Sequence, residues 1–358
     1  MKAIIAFITK KLKMKINNFE INEDSPVFII AELSANHNGS LKNAIETIHA
    51  AKRAGADCIK LQTYTADTIT IDSNKDDFLI KGTIWEGKNL YKLYQEAYTP
   101  WEWHAEIFKI AKEEGLICFS SPFDNSAVDF LESLDAPAYK IASFEITDIP
   151  LIEYVASKGK PIIISTGIAE EQDIELALDA CRRKGNNDIA LLKCTSSYPA
   201  PIEEANMCMV KDLAERYNVI SGLSDHTMGS IVPIVATAFG ARIIEKHFII
   251  DRSIGGPDAS FSMNEEEFTA MVKAVREAEK AIGIVDYTLT EKQAKGKDFS
   301  RSLYVVEDMK EGDIITEKNV RSIRPGFGMH PKYYKDILGK KVTSDLEKGA
   351  RVNLEYIK

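Results

Sequence analysis

The chain has 358 residues, of which 45% are hydrophobic and 28% are charged, and its formal net charge is −9 at pH 7. This composition is typical of a folded globular protein and argues against disorder, and no apolar run approaches the ~20 residues that a membrane span needs. No basic stripe interleaved with aromatic residues is present, so we expect no nucleic-acid partner. From Phe299 onward the net charge is +3, against −12 for the rest of the chain. A mildly basic tail of this kind suits docking to the acidic surface of the same protein.

The N-terminus begins with a short apolar patch at residues 3–8, which several lysines follow. A secretory signal would have a longer apolar region and a cleavage site of small residues, so we expect no signal peptide and take Met14 as the natural start. The five cysteines include no CxxC pair and are odd in number. They predict buried thiols in a reducing cytoplasm rather than a disulfide framework.

Short apolar runs rich in β-branched residues alternate with helical patterns along the chain. Strands are predicted at residues 27–32, 57–62, 116–120, 138–142, 161–165, 189–194, 219–224 and 242–247. Helices are predicted at residues 41–53, 103–114, 170–183, 203–216 and 265–282. Apolar strands that alternate with helices imply a parallel sheet buried on both faces. Eight such units favour a closed (β/α)8 TIM barrel of the α/β class over an open sheet, which would be expected to carry a GxGxxG turn.

The predicted barrel domain covers residues 27–289, after a lead-in at 1–26. Its segment 64–100 is long for a βα connection and rich in aromatic residues, which predicts a lid or substrate loop. A polar, lysine-rich linker is predicted at 290–301, before a small domain at 302–358. We expect strands at 302–306 and 351–357 in that domain, with a rigid exposed loop at 320–331 between them.

Polar residues stand at the carboxyl ends of the predicted strands, where TIM barrels carry their active sites. Lys60 and Lys140 each interrupt an apolar strand, where a lysine is rare unless it meets an opposite charge. Together with serine and threonine hydroxyls they suit a phosphate and a carboxylate. His226 and His247 end two neighbouring strands, and such a pair suits a divalent metal.

Glu32 and Glu145 are two carboxylates from strand ends that suit general acid and base catalysis. Paired carboxylates also suit a glycosidase, but the lysines and histidines at the same rim disfavour that alternative. We assign no catalytic or binding role to several other polar residues. Helix capping is predicted for Asn38, Ser40 and Asn125, no role for His49, and a surface position for His104.

A set of motifs in this order and spacing resembles the sialic acid (nonulosonic acid) synthase family over residues 28–356. The motifs are AELSANHNGSL, GADCIKLQT, SSPFD, YKIASFEI, ISTGIA, SDHT, EKHF and SIRPGFG. Residues 82–103 are similar to the pseudaminic acid branch of that family, and the tail resembles an antifreeze-like (SAF) domain.

The resemblance implies a cytoplasmic transferase that condenses phosphoenolpyruvate with an N-acetylated amino sugar, with a divalent cation (Mn2+, Co2+ or Mg2+) as cofactor. It implies phosphoenolpyruvate contacts by Lys60, Ser121, Lys140, Ser143, Thr166 and Ser224. It implies metal binding by His226 and His247, an acid or base role for Glu32, and sugar contacts by Gln62, Glu145, Tyr198 and Asp258. Arg324 would reach the sugar pocket of the partner in a domain-swapped homodimer. Ser196 stands where N-acetylneuraminate synthases have asparagine, which leaves its role open.

Three alternatives remain at this point. The first keeps the chemistry but changes the sugar, giving an N-acetylneuraminate or legionaminic acid synthase. The second is a metal-dependent barrel hydrolase, which does not explain lysines inside buried strands. The third is a non-catalytic sugar-binding protein, against which the polar residues on all eight predicted strands argue.

Overall fold

The computed structural model describes residues 12–358, so the predictions made for residues 3–8 lie outside the described residues. The chain divides into two compact units after Gly283. Among the described residues, no helix has both the length and the apolar character that crossing a membrane requires.

The first unit contains a closed barrel of eight parallel strands, which confirms the predicted fold class. A short antiparallel hairpin, β1 (Lys13–Ile16) and β2 (Phe19–Asn22), precedes it. The barrel strands are β3 (Phe28–Glu32), β4 (Cys58–Thr63), β5 (Ile117–Pro122), β6 (Tyr139–Ile141), β7 (Ile162–Ser165), β8 (Ile189–Cys194), β9 (Ile220–Asp225) and β10 (Ile243–His247). β10 pairs with both β9 and β3 and so closes the barrel.

The helices of this unit follow the strands in alternation. They are α1 (Leu41–Arg53), α2 (Ala66–Ile69), α3 (Leu90–Ala97), α4 (Trp101–Glu113), α5 (Asn125–Ser133), α6 (Ile149–Ala156), α7 (Glu171–Arg183), α8 (Cys208–Tyr217), α9 (Ile231–Ala238) and α10 (Glu265–Ile282). The predicted start of α8 is wrong by five residues because residues 202–204 form a separate 3-10 turn.

One of the three predicted helix caps is confirmed. Ser40 caps α1, since its side chain accepts the N–H of Asn43. Asn38 is not a cap: it has a φ of 45°, and its amide donates to the carbonyl of Ile254. Asn125 is the first residue of α5, and Asp124 before it is the cap.

Alternate residues of each barrel strand face the interior, so each inward face changes from apolar to polar along the strand. Near the amino ends the inward residues form one core cluster with Met14, Ile16 and Ile21 of the hairpin, which thereby closes that end of the barrel. The inward core residues are Phe28, Ile30, Cys58, Ile117, Phe119, Ala138, Ile163, Ala190, Leu192, Ile220 and Ile243. Two to four residues further on, the same faces present Glu32, Lys60, Gln62, Ser121, Lys140, Ser165, Ser224, Glu245 and His247.

The second unit, from Ile284 onward, has a small core of its own around Leu303, Val305 and Val320. Its elements are α11 (Glu291–Lys295), β11 (Ser302–Val305), β12 (Val320–Ile323) and α12 (Tyr334–Ile337). The predicted linker thus contains a short helix. The strand that pairs with β11 is β12, which lies inside the predicted loop 320–331.

The strand predicted at 351–357 is wrong. Arg351 makes a single bridge to Tyr304, and the chain then turns into a 3-10 helix at Leu354–Tyr356. Asn353 directly precedes this turn, and asparagine is depleted in strands.

Candidate active site

Two lysines and two glutamates form a buried charged cluster in the mouth of the barrel. Lys60 forms an ion pair with Glu32, and its Nζ lies 3.5 Å from Oε1 of Glu245. The Nζ of Lys140 lies 3.9 Å from the same oxygen of Glu245. Each side chain of this cluster is at most 8% exposed. Both lysines therefore meet the opposite charge that their place in an apolar strand requires.

Burial and neighbouring charges set the protonation of this cluster. Burial raises the pKa of Glu32 to about 7, and the nearby Lys60 only partly offsets it. Burial would also raise the pKa of Glu245, but Lys140 and Lys60 hold it below its ordinary value. Burial lowers the pKa of Lys140, whereas at Lys60 the carboxylates of Glu245 and Glu32 outweigh burial and raise the pKa. At neutral pH Glu245 is therefore a fixed counter-ion, and Glu32 is the carboxyl that can exchange a proton.

Serine hydroxyls lie beside both lysines. Lys60 Nζ donates to Ser121 Oγ at 3.2 Å, and Lys140 Nζ donates to Ser165 Oγ at 2.7 Å. Lys140 Nζ also donates to the carbonyl of Ile141 at 3.0 Å, and both ammonium groups face the carboxylate of Glu245, so an anion would share these N–H donors with the present partners. This arrangement suits the oxygen atoms of an anion.

Gly167 allows two further hydroxyls to lie close to its backbone. Its N–H donates to Ser143 Oγ at 3.1 Å, and a Cβ at this position would collide with the Oγ atoms of both Ser143 and Ser196. Ser196 Oγ is buried, and no hydrogen-bond partner for it is present among the described residues. Because buried polar atoms are normally paired, this hydroxyl is available to an oxygen-rich ligand group.

His226 and His247 lie side by side, with ring centroids 5.3 Å apart. The Nδ1 of His226 lies 2.9 Å from the carbonyl oxygen of Thr195, which favours a proton on Nδ1 and leaves Nε2 as the coordinating atom. The Nδ1 of His247 is buried and finds no hydrogen-bond partner within residues 12–358. Burial lowers the pKa of His247 well below its usual range. Burial also lowers the pKa of His226, but the Cys194 thiolate and the hydrogen bond to the Thr195 carbonyl outweigh it and raise the pKa.

These two imidazoles fit a divalent metal, because each has a ring nitrogen available for coordination. Within the described part of the chain, no group of three or more His, Cys, Asp or Glu side chains is arranged to hold a metal by itself. Water or substrate would therefore supply the other ligands. At His226 a proton would compete with the metal.

Aromatic rings line the same side of the mouth. The Tyr198 ring lies 4.3 Å from that of His226 and 5.1 Å from that of Phe261, and the Phe261 ring lies 5.0 Å from that of His247. Burial raises the pKa of Tyr198, so this phenol stays neutral. The histidine pair thus lies against an apolar wall.

A chain of hydrogen bonds connects further predicted residues around the mouth. Gln62 Nε2 donates to Glu32 Oε1 at 3.1 Å and to Ser34 Oγ at 3.0 Å. Ser34 Oγ donates in turn to Asp258, whose Oδ2 lies 3.9 Å from His247 Nδ1. Burial raises the pKa of Asp258, and the bond from Ser34 partly offsets this. The structure therefore brings Gln62 and Asp258 together with the acid Glu32 and the histidine pair.

Glu145 lies in a 3-10 turn (Ser143–Glu145) that follows β6. Its Oε2 is buried, and no partner for it is found in the part of the chain that the structure describes. Burial raises the pKa of Glu145 to about 7. Like Glu32, it can therefore hold or release a proton near neutral pH.

Three predicted residues have other contacts or another location. Ser224 Oγ donates to Glu245 at 3.3 Å, and Thr166 Oγ1 donates to the carbonyl of Leu192 at 3.1 Å. Arg324 belongs to the second unit, where it is exposed. Their contacts with a ligand stay predictions.

The predicted surface position of His104 is wrong. This residue is fully buried, with Nε2 at 2.9 Å from Thr63 Oγ1 and Nδ1 at 3.2 Å from the carbonyl of Pro100. Its ring also packs on Phe130. Burial lowers the pKa of His104 to about 4, so the imidazole is neutral.

Sequence analysis assigned no role to Glu245 and Ser165, although both belong to the polar residues at the strand ends, and it missed Ser34. Glu245 carries the same signal as Lys60, because it is a charged residue inside an apolar strand. Ser34 had no such signal, since it follows β3 in a polar loop and its role depends on Asp258, which is 224 residues away in sequence.

Comparison with known proteins matches residues 47–287 to the NeuB family and residues 300–352 to the SAF domain. The chain is 51% identical over 336 residues to the pseudaminic acid synthase of Campylobacter jejuni, which covers 94% of this chain and 97% of that one. It is 34% identical to the N,N'-diacetyllegionaminic acid synthase of Legionella pneumophila, with coverage of 96% and 98%. A solved structure, the N-acetylneuraminic acid (sialic acid) synthetase of Leptospira borgpetersenii, aligns with a TM-score of 0.72 at 29% identity, over 80% of this chain and 95% of that one.

Proposed function

Because this chain belongs to the NeuB family and also carries a SAF domain, we propose that it is a pseudaminic acid synthase. It condenses phosphoenolpyruvate with a 2,4-diacetamido-2,4,6-trideoxy hexose (6-deoxy-AltdiNAc) and water, and gives a nonulosonic acid and phosphate. Its identity of 51% to a pseudaminic acid synthase, against 34% to a diacetyllegionaminic acid synthase, is the observation that favours this sugar.

Phosphoenolpyruvate binds beside Lys60 and Lys140 in this proposal. These are buried cations with serine hydroxyls at 3.2 and 2.7 Å, and charge-assisted hydrogen bonds to phosphate and carboxylate are the strong kind. The buried Oγ of Ser196, which has no hydrogen-bond partner among the described residues, supports a phosphate position beside Gly167. Ser121, Thr166 and Ser224 complete the proposed contacts.

The sugar aldehyde lies near the histidine pair, with Gln62, Glu145, Tyr198 and Asp258 around it. His226 and His247 would hold a divalent cation, Mn2+, Co2+ or Mg2+, whose presence would polarise the aldehyde and stabilise developing negative charge. His247 Nδ1, buried without a partner among the described residues, supports this assignment.

The reaction forms one carbon–carbon bond and one carbon–oxygen bond to water, and it breaks the carbon–oxygen bond to phosphate. The enol carbon of phosphoenolpyruvate attacks the aldehyde carbon, and the aldehyde oxygen takes up a proton. Water then adds to the cationic carbon that carries the phosphate, phosphate leaves from that carbon, and the two protons of the water are released as the keto group forms. Glu32 is the proposed acid or base, since its pKa of about 7 allows it to hold and release a proton at neutral pH. Orientation of both substrates in one barrel mouth contributes up to roughly 7–11 kcal/mol.

The second unit is proposed to complete the site in a domain-swapped homodimer. Exposed Arg324 would contact the sugar bound by the partner, and the net charge of +3 from Phe299 onward supports docking to the acidic barrel of another copy. We keep the proposed boundaries of a barrel at 27–289, a linker at 290–301 and a SAF domain at 302–358. A cytoplasmic location fits the five free cysteines.

Phosphate release from phosphoenolpyruvate tests this function. The purified protein with Mn2+ is given 6-deoxy-AltdiNAc, its legionaminic-type isomer or N-acetylmannosamine, and phosphate is measured. We expect turnover chiefly with 6-deoxy-AltdiNAc. Turnover with N-acetylmannosamine alone would contradict the sugar assignment, and consumption of a sugar without phosphoenolpyruvate would favour a hydrolase.

A further inference from the structure

The long segment between β4 and α4 places an indole ring over the barrel mouth. Within it a tight turn is held by bonds from Ile80 N to Lys88 O and from Gly87 N to Ile80 O, both 2.9 Å long. Trp85 lies in this turn and is half-buried. Its Nε1–H donates to the carbonyl oxygen of Pro257, 172 residues away in sequence, at 3.0 Å.

This hydrogen bond joins the lid to the loop that carries a site residue. Pro257 directly precedes Asp258, which accepts a hydrogen bond from Ser34 and lies 3.9 Å from the Nδ1 of His247. The position of Trp85 is thereby fixed relative to the histidine pair.

The Trp85 ring also extends the apolar wall of the site. Its centroid lies 5.6 Å from that of Tyr198, in a tilted arrangement of 54°, and Tyr198 packs on His226 and Phe261. Of these rings only Trp85 comes from the lid segment. A ligand whose aldehyde lies at the histidine pair would extend its far end along this wall.

We propose that Trp85 determines sugar specificity by presenting an apolar surface to the 6-deoxy end of the substrate. This inference rests on the proposed function and assigns one residue to its choice of sugar. A methyl group at that end gains contact with the indole ring, whereas a hydroxyl would lose hydrogen bonds to water without regaining them at an apolar surface. An apolar pocket discriminates such pairs by about 100-fold at most.

The test compares two sugars in wild-type protein, Trp85→Phe and Trp85→Ala. The sugars are 2,4-diacetamido-2,4,6-trideoxy altrose and its analogue with a hydroxyl at C6, and kcat/KM is measured for each with saturating phosphoenolpyruvate. We expect Trp85→Ala to reduce the preference for the deoxy sugar by roughly tenfold, with the KM for phosphoenolpyruvate within about twofold of wild type. Trp85→Phe keeps an aromatic ring but loses the indole N–H, so it should retain most of the preference and raise the KM for both sugars alike.

Trp101→Phe is the matched control. Trp101 also donates an indole N–H to a backbone carbonyl, that of Tyr64 at 3.1 Å, but its ring stacks on Phe130. This variant should leave the sugar preference unchanged, and melting curves of all variants check that the barrel is folded.

Two outcomes would overturn the inference while leaving the proposed function intact. One is an unchanged preference in Trp85→Ala, and the other is an equal loss of activity toward both sugars, which would mean that Trp85 only holds the lid in place. Wild-type protein that prefers the hydroxylated sugar would instead contradict the proposed substrate, and the inference with it.

Discussion

Glu145→Gln should stabilise the barrel unit at alkaline pH and have little effect in acid. The carboxyl of Glu145 is buried, its Oε2 has no partner among the described residues, and burial raises its pKa from 4.5 to about 7. The folded protein therefore keeps this proton at pH values where the unfolded chain has lost it. Stability from this group is fully present below pH 4.5 and is lost as the pH rises through about 7.

The magnitude follows from the size of the pKa shift. At about 1.4 kcal/mol per pKa unit, ionisation of Glu145 costs roughly 3 kcal/mol once the pH is well above 7. Glutamine has nearly the same shape and carries no charge, so the variant avoids this cost. For a unit of this size, the melting temperature should rise by roughly 6–12 °C at pH 8.5 and by about 2 °C or less at pH 5.

Thermal unfolding followed by tryptophan fluorescence measures this difference. All three tryptophans, Trp85, Trp101 and Trp103, belong to the barrel unit, so the signal reports on that unit alone. Substrate-free protein is used, because an anionic ligand would change the charge around Glu145. Glu203→Gln, at an exposed position, is the control and should show no pH-dependent gain. An equal shift at both pH values, or a wild type that is more stable than the variant at pH 8.5, would refute the reasoning.

Three further predictions concern the charged cluster, the histidine pair and the tail. Lys60→Met leaves Glu32 and Glu245 buried without their shared cation. We therefore expect a loss of about 3–5 kcal/mol in the free energy of unfolding and no phosphate release. A variant of unchanged stability would contradict the ion-pair geometry. His247→Ala should weaken Mn2+ binding, measured by calorimetry, by at least about 100-fold, whereas the half-buried His49→Ala should bind Mn2+ as the wild type does. Arg324→Ala should lower turnover without changing the melting temperature or the elution volume in size-exclusion chromatography. A wild-type protein that is fully active as a monomer would refute the domain-swapped dimer.

The barrel could be predicted because the same strand pattern occurs eight times along the chain. Each strand is a short apolar run bounded by polar residues, and eight repeats compensate for errors of one or two residues at their ends. The second unit has too few elements for such averaging. There the prediction placed a strand at 351–357, although the backbone of Arg351 makes only one bridge and the real partner of β11 is β12. Proline and glycine in the following residues obscured the strand at Val320–Ile323.

The site was predictable where a residue violated the pattern of its own strand. Lys60 and Lys140 could be found in this way, because a buried lysine needs a counter-ion. The counter-ion itself could not be assigned, since Glu245 lies 185 residues from Lys60 in sequence and only barrel closure brings the two to 3.5 Å. The prediction for His104 failed because the histidine was judged by its own polarity, although Trp101, Ile107 and Phe108, one turn away on α4, are apolar. Nothing local indicates the bond to Thr63 on β4 that allows the ring to be buried.

The charges of the buried cluster explain why the barrel mouth needs further cationic groups to bind its substrate. Lys60 and Lys140 are already matched by Glu32 and Glu245, so the cluster has little net charge to offer a trianionic phosphoenolpyruvate. Two like charges 4 Å apart repel by about 4 kcal/mol at an effective dielectric constant of 20. Additional positive charge must therefore accompany the binding of the anion. In the proposed function, a proton on Glu32, a divalent cation at the histidine pair and an arginine from a partner's tail would each supply positive charge. The raised pKa of Glu32, the Nδ1 of His247 that has no hydrogen-bond partner within residues 12–358 and the exposed Arg324 would thus meet one electrostatic requirement, and we expect each to become more important when another is removed.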